Sequence, residues 1–313
     1  MYYLLGGIFL GWSLGANDAA NVFGTAVSSR MVSFFTAAVL CSGFLVLGAL
    51  LEGEAGMQTI GALASQNLRT ATVTSVGAAV SITVMTLIRI PSSTSQAVVG
   101  SIIGVALINK APLQLDGLLK VVICWVGTPV GALIVAWVLY RSLGWLLNAL
   151  SPNVYTHDEL MRTGLVLSGA YGAYALGANN VANVTGVYVG AGLLTPRWAV
   201  IVGGISIALG VLTYSKPVMT TVGKSIVRLD AFSSLVVVLS EAVVVHVYAV
   251  VGVPVSTSQA VVGAVIGVGL IKQASAVKAS VIYRIVMGWI VTPVIAALVA
   301  AGLYFVLHLR YVP

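Results

Sequence analysis

The sequence contains few charged residues. Lysine, arginine, aspartate and glutamate together make up 7% of the 313 residues, whereas a soluble domain carries about 25% on average. Hydrophobic residues make up 59% of the chain, and the mean hydropathy is +1.06. This composition excludes a water-soluble fold and predicts a protein that lies in a membrane.

Cysteine and clustered charge are scarce as well. The two cysteines, Cys41 and Cys124, stand in apolar runs without metal-ligand spacing, so we interpret them as core residues and expect no cofactor. The 15 basic residues are scattered singly, which argues against a nucleic-acid partner and is typical of loops that contact anionic lipid. The sequence contains no His-Glu-x-x-His motif and no recognisable nucleophile and base, so we do not expect an enzyme.

Long apolar stretches separated by short polar breaks fill the chain. Most are close to the roughly 20 residues that a helix needs to cross a bilayer. Runs such as Val243 to Val255 do not alternate between apolar and polar positions, as the strands of a membrane barrel would. The sequence therefore predicts an all-α, multi-pass membrane protein, which we place in the cell membrane in contact with lipid.

The second half of the chain repeats the first. Three motifs recur in the same order at nearly constant spacing, which coincidence does not explain. We therefore predict a first repeat at 1–145, a polar linker at 146–162 and a second repeat at 163–313. Repeats in transporters are parallel or inverted, and the basic residues do not decide between the two. The motif pairs are Gly-Ala-Asn-Asp-Ala-Ala-Asn at 15–21 with Gly-Ala-Asn-Asn-Val-Ala-Asn at 177–183, Pro-Ser-Ser-Thr-Ser-Gln at 91–96 with Pro-Val-Ser-Thr-Ser-Gln at 254–259, and Trp-Val-Gly-Thr-Pro at 125–129 with Trp-Ile-Val-Thr-Pro at 289–293.

The first motif places a polar cluster inside a run of small and apolar residues. A carboxylate at membrane depth, such as Asp18, costs about 2.5–3.5 kcal/mol to insert, so it is a functional candidate by default. Residues four apart share one helix face, and amide or carboxylate oxygens there suit a hard cation such as sodium. The alternative is that the asparagines only connect neighbouring helices. The cluster consists of Asn17, Asp18 and Asn21, and its second copy of Asn179, Asn180 and Asn183.

Each Pro-x-Ser-Thr-Ser-Gln segment predicts a helix that begins inside the membrane, with serine or threonine as its N-cap. Such a start offers unpaired N–H groups and the positive end of the helix dipole, both of which attract an anion. A proline-containing loop at the membrane surface is the alternative. The Gly-x-x-x-Gly pairs that follow, at 100–104 and 263–267, argue against that alternative because they indicate close helix packing.

Of the polar residues outside the motifs, we interpret three. Glu241 lies in an apolar run, and we predict that it is an ion ligand or, alternatively, that it makes a polar contact between helices. We interpret His246 as a buried, hydrogen-bonded histidine. We interpret Glu52 as a water-exposed residue near a helix end.

The motifs at 15–21, 177–183, 91–96 and 254–259 closely resemble those of the inorganic phosphate transporter (PiT) family, over nearly the whole chain. The resemblance implies two inverted-topology repeats with discontinuous or re-entrant helices that form a central transport site. It also implies phosphate uptake driven by sodium or, in some members, by protons. One residue departs from the family, which usually has aspartate where this chain has Asn180. Because an amide supplies no charge and takes up no proton, proton coupling through this position is not expected.

The resemblance also implies which residues bind the cargo. The phosphate ligands would be Ser93, Thr94, Ser95, Gln96, Ser256, Thr257, Ser258, Gln259, Asn21 and Asn183. The sodium ligands would be Asn17, Asp18, Asn179 and Asn180, to which we add Glu241. Sodium is thus expected as a co-transported ion.

We therefore expect a secondary active transporter that imports inorganic phosphate with sodium by alternating access. Phosphate near neutral pH carries a proton that it can share with Asp18, whereas sulfate carries none and would leave that group unpaired. A proton-coupled permease for sulfate or another oxyanion is one alternative, and an anion channel is another. A homodimer is an open alternative to a monomer.

Overall fold

A computed structural model of the protein describes residues 2–87, 92–225, 229–272 and 279–309. Over these residues the chain forms a short 3-10 turn at Tyr2–Leu4 and eleven α-helices. The helices are α1 (Leu5–Ser28), α2 (Phe34–Glu52), α3 (Glu54–Ala62), α4 (Leu68–Leu87), α5 (Thr94–Asn109), α6 (Leu115–Leu150), α7 (Val154–Gly190), α8 (Pro196–Ser225), α9 (Ala231–Val251), α10 (Thr257–Ile271) and α11 (Ala279–Leu309).

Six helices in the described part of the chain are long and apolar enough to cross a membrane. They are α2, α4, α6 and α9, together with most of α8 and α11. The helices α1 and α7 carry the asparagine motifs and, at 24 and 37 residues, also exceed the roughly 20 residues of a crossing. The helices α5 and α10 have only 16 and 15 residues, so each is too short to span the bilayer. The predicted all-α, multi-pass architecture is confirmed.

The helices of the two halves correspond in order. The series α1, α2, α4, α5 and α6 matches α7, α8, α9, α10 and α11. One difference lies at Gly53, where α2 ends and α3 begins, whereas α8 continues without a break. The predicted linker at 146–162 is largely helical. Only 151–153 interrupt it, and the Asn153 side chain caps α7 by accepting from the Thr156 N–H at 2.9 Å.

Helices of each half pack mainly against helices of the other half. The helix α1 lies along α8 and α7 lies along α2, while α5 contacts α11 and α10 contacts α6. The equivalent helices α1 and α7 run antiparallel. The Gly7 N–H, near the start of α1, donates to the Tyr188 hydroxyl near the end of α7 at 3.1 Å, whereas Phe23, near the end of α1, contacts Gly169. The helices that carry the motifs are therefore held mainly by the opposite half.

The Gly-x-x-x-Gly pairs lie at two of these contacts between the halves, as predicted. A Cβ atom at Gly100 would overlap the backbone of Pro293 in α11, and one at Gly263 would overlap the backbone of Pro129 in α6. Both helix pairs approach so closely that no side chain fits between them. The glycines thus fix the position of the short helices α5 and α10, and hence of their N-terminal ends.

Substituting one of these glycines is expected to destabilise the fold. For Gly100→Ala we expect a loss of about 1–3 kcal/mol of unfolding free energy, because the added methyl group must displace the α11 backbone. Thermal unfolding of the purified protein in detergent would measure the loss. Gly302→Ala is the matched control, because a Cβ atom there meets nothing within 4 Å. Equal melting temperatures for the two variants would contradict the close contact.

Candidate functional site

The helices α5 and α10 begin in the interior of the protein. Ser93 caps α5 by accepting from the Gln96 N–H at 3.4 Å, and Ser256 caps α10 by accepting from the Gln259 N–H at 3.3 Å. The predicted serine caps are confirmed, while Pro91 lies outside the described residues. At both ends the serine, threonine and glutamine side chains are almost fully buried, except that of Ser258, which is half-buried. A buried helix start directs N–H groups into a site from which lipid and bulk water are excluded.

The start of α10 contacts the first asparagine motif. The Asn21 side-chain amide donates to the Thr257 hydroxyl at 3.1 Å and to the Ser258 hydroxyl at 3.2 Å. The Asp18 carboxylate, which is 3% exposed, also interacts with the Thr257 hydroxyl. Four predicted site residues from opposite ends of the sequence therefore meet where α1 passes the start of α10.

The second asparagine motif has a partly different arrangement. The Asn183 amide donates to the Asn180 carbonyl oxygen at 3.0 Å. Asn179 holds the non-helical segment before α10, because its amide donates to the Val253 carbonyl oxygen at 3.2 Å and its oxygen accepts from the Val255 N–H at 2.9 Å. Asn179 thus positions the start of α10, a role that the sequence did not reveal.

Six polar atoms of the asparagine and Pro-x-Ser-Thr-Ser-Gln motifs are buried without a hydrogen-bond partner in the described protein. Leaving such an atom unpaired costs about 1–3 kcal/mol, so unpaired atoms concentrated on motif residues indicate a binding site. The set includes both donors and acceptors, as a protonated oxyanion requires. The atoms are Asp18 Oδ1, Thr94 Oγ1, Gln96 Oε1, Asn180 Nδ2, Asn183 Oδ1 and Gln259 Oε1.

Glu241 on α9 is a second buried carboxylate. Its side chain is fully buried, and neither of its oxygens has a hydrogen-bond partner among the described residues. The carboxylate lies at the junction of three helices, since a Cβ atom at Gly172 of α7 would contact both Glu241 Oε2, at 3.3 Å, and Val22 of α1, at 3.0 Å. Glu241 and Asp18 are close enough to repel each other electrostatically.

The remaining predicted ligands are arranged less tightly. The Ser93 and Ser95 hydroxyls hydrogen bond to each other at 3.1 Å at the start of α5. Asn17 is half-buried on α1. The hydroxyl of Thr94 has no hydrogen-bond partner in the described chain, so no hydrogen bond joins it to Thr257.

A second polar cluster connects α2, α7 and α9. His246 hydrogen bonds through Nδ1 to the Tyr171 hydroxyl at 2.8 Å and through Nε2 to Glu52 at 2.7 Å, and the Tyr174 hydroxyl donates to the other Glu52 oxygen at 2.7 Å. The predicted hydrogen bonding of His246 is confirmed, but its side chain is 24% exposed and therefore only partly buried. Glu52 ends α2 and its side chain is 35% exposed, as interpreted from the sequence, but two side chains also hold its carboxylate. No spacing in the sequence signals this cluster, since its members come from both halves.

Removing the central histidine of this cluster is expected to destabilise the protein. In His246→Ala, Glu52 and Tyr171 each lose a hydrogen bond, which we expect to lower the free energy of unfolding by about 1–3 kcal/mol. Thermal unfolding in detergent would measure this loss. His157→Ala provides the control, because His157 has 43% of its side chain exposed and forms only a long contact to Asp158 at 3.7 Å. If both variants melt like the unmodified protein, the cluster does not contribute to stability.

Comparison with known proteins identifies the family. The model of the phosphate transporter family matches residues 14–300. The chain belongs to the phosphate transporter family. Family members are transporters, so the expectation that this chain is not an enzyme is confirmed, as is the resemblance carried by the four motifs.

Relatives with different named substrates match nearly the whole chain. The protein named "Putative phosphate permease MJ0630" of Methanocaldococcus jannaschii is 30% identical, over 93% of this chain and 92% of its own length. The sulfate permease CysP of Bacillus subtilis is 29% identical, over 93% of this chain and 83% of its own length. A solved structure titled "The sodium-dependent phosphate transporter" has the same fold, with a TM-score of 0.86 and 24% identity over 99% of this chain and 100% of that chain.

Proposed function

We propose that the protein imports inorganic phosphate together with sodium by alternating access. Sodium binds first, neutralises the buried carboxylate and orders the amide side chains. Phosphate then binds between the starts of α5 and α10. The observation that carries this proposal is the set of buried, unpaired polar atoms on motif residues of both halves.

The phosphate ligands in this proposal are the side chains and N–H groups at the two helix starts, with Asn21 and Asn183 beside them. Helix N-termini attract anions through their unpaired N–H groups and the helix dipole, and they need no arginine. Thr94 Oγ1 and Asn180 Nδ2 offer unpaired donors. Both helix starts are fixed by glycine contacts to α6 and α11, which would hold these donors in a constant geometry.

The unpaired acceptors favour phosphate over sulfate. Asp18 Oδ1, Gln96 Oε1 and Gln259 Oε1 can each accept a hydrogen bond, and a fully deprotonated anion has none to donate. Phosphate near neutral pH donates at least one O–H group, and sulfate donates none. The similarity to the sulfate permease CysP keeps sulfate as the second candidate substrate.

Sodium is the proposed coupling ion because the site contains buried negative charge that no basic side chain within 2–87, 92–225, 229–272 and 279–309 is seen to pair. Asp18 and Glu241 are nearly or fully buried, and an isolated buried carboxylate is strongly unfavourable unless a cation or a proton neutralises it. Amide oxygens of Asn17, Asn179 and Asn180 would complete the coordination of a hard cation. The structure with the same fold is titled a sodium-dependent transporter, which agrees with this choice.

Alternating access would follow from inverted repeats. The equivalent helices α1 and α7 run antiparallel, as they must if the second repeat has the opposite orientation in the membrane. Motion of one half relative to the other would then open the central site to each side in turn.

Transport of labelled phosphate into liposomes tests the proposed function. With the purified protein we expect accumulation only under an inward sodium gradient, and little competition from sulfate. Uptake that follows a proton gradient, or that sulfate abolishes, would support the alternative permease. Conductance without accumulation would identify an anion channel.

The surroundings of the protein are also proposed. Apolar residues on α6, spaced three or four apart, are exposed along one face, as expected for a helix surface against lipid; they are Leu119, Ile123, Val126, Val130 and Ile134. We place the protein in the cell membrane, where an importer must act. A homodimer remains a prediction, which the mass of the detergent-solubilised protein would test.

A further inference from the structure

Asp18 and Glu241 give the transport site an uneven distribution of charge. In the sequence repeat, the counterpart of Asp18 is the neutral Asn180, and the counterpart of Glu241 on α4 is Ala78. Both buried carboxylates lie in the part of the site where α1, α7 and α9 meet. The second asparagine motif contributes only neutral amides.

Among the described residues, Glu241 has no basic partner that neutralises it. Neither of its oxygens accepts a hydrogen bond from the part of the chain that the structure describes, and the side chain is fully buried. The nearest basic candidate on its own helix, His246, already uses both ring nitrogens for Tyr171 and Glu52. The ionisable groups that act on the Glu241 region from the neighbouring helices are Asp18 of α1, Cys41 of α2 and Tyr171 of α7, and none of these is a cation.

We propose that Glu241 binds a second cation, separate from the one at Asp18, and thereby sets the number of cations carried with each phosphate. This inference rests on the proposed sodium-coupled function. Each buried carboxylate requires one neutralising charge in the loaded state. The two carboxylates together carry two negative charges, which repel each other. A single monovalent cation shared between them would leave one of these charges uncompensated, and phosphate would add further negative charge.

The ratio of coupled ions can be measured in liposomes with the membrane potential held at zero. At equilibrium, the logarithm of the phosphate accumulation ratio rises with the logarithm of the sodium gradient, and the slope equals the number of sodium ions per phosphate. For Glu241→Gln we expect a slope lower by one sodium ion than that of the unmodified protein. Glu54→Gln is the matched control, because Glu54 lies exposed at the start of α3, and it should retain the original slope.

The two proposals fail in different ways. If the unmodified protein shows no sodium-driven uptake, the proposed function is wrong. If it does, and Glu241→Gln transports with the same slope, the inference about Glu241 is overturned. If Glu241→Gln folds but does not transport, radioactive sodium bound to the purified variant at saturation decides the question, where one ion fewer supports the inference and an unchanged number overturns it. If that variant does not fold, radioactive sodium bound to the unmodified protein at saturation is counted instead, where two ions per chain support the inference and a single ion overturns it.

Discussion

Asp18→Asn is expected to lower sodium-driven phosphate uptake about 100-fold or more. The substitution keeps the shape of the side chain but removes the charge that would bind sodium and the strong acceptor beside Thr257. A hydrogen bond to a charged group contributes up to about 3 kcal/mol, and about 1.4 kcal/mol corresponds to a tenfold change in affinity. Initial rates of labelled phosphate uptake into liposomes would measure the effect, and sodium binding to the purified variant should weaken in parallel.

Asp116→Asn is the matched control for this experiment. Asp116 is exposed in the first turn of α6 and belongs to none of the repeated motifs. The uptake rate of the Asp116→Asn variant should therefore match that of the unmodified protein. If Asp18→Asn folds normally and still accumulates phosphate from a sodium gradient at the normal rate, Asp18 has no part in ion coupling.

Thr94→Val and Thr257→Val are expected to weaken phosphate binding strongly. Valine has the shape of threonine without the hydroxyl, so each variant removes one hydroxyl from the proposed phosphate site. We expect each single variant to raise the KM for phosphate about tenfold, as the loss of roughly 1.5 kcal/mol implies. The double variant should lose more than either single variant. Uptake measured over a range of phosphate concentrations would separate KM from the maximal rate.

The serine variants and a distant threonine serve as controls. Thr94→Ser and Thr257→Ser keep the hydroxyl and should retain most of the affinity, whereas a purely structural role for the methyl group would make serine more harmful than valine, which keeps that methyl group. Thr163→Val, at an exposed position on α7, should change nothing. An unaltered KM in both valine variants would show that the helix starts do not bind phosphate.

Much of the helical architecture was predictable because the second half of the sequence repeats the motifs of the first half. The repeated motifs marked α1 and α7 as the helices with polar residues, and the Pro-x-Ser-Thr-Ser-Gln segments marked the starts of α5 and α10. Local chemistry was sufficient there, since a serine side chain that caps a helix acts only three residues away. The Gly-x-x-x-Gly pairs likewise indicated close packing before any partner was known.

Contacts between distant parts of the chain were not predictable in this way. Glu52 and His246 belong to different halves and have no counterpart in the repeat pattern, so only the folded structure shows that they meet. Asn179 resembles its neighbours in sequence, yet its amide holds the backbone before α10. The packing of helices against the opposite half also depends on long-range contacts, which the order of the motifs does not specify.

A structure determined with phosphate and sodium bound would test the central claim most directly. The account predicts one phosphate ion whose oxygens lie within about 3 Å, a hydrogen-bond distance, of both the Thr94 and the Thr257 hydroxyls. A phosphate ion that contacts only one of the two helix starts, or a separate anion at each, would contradict it.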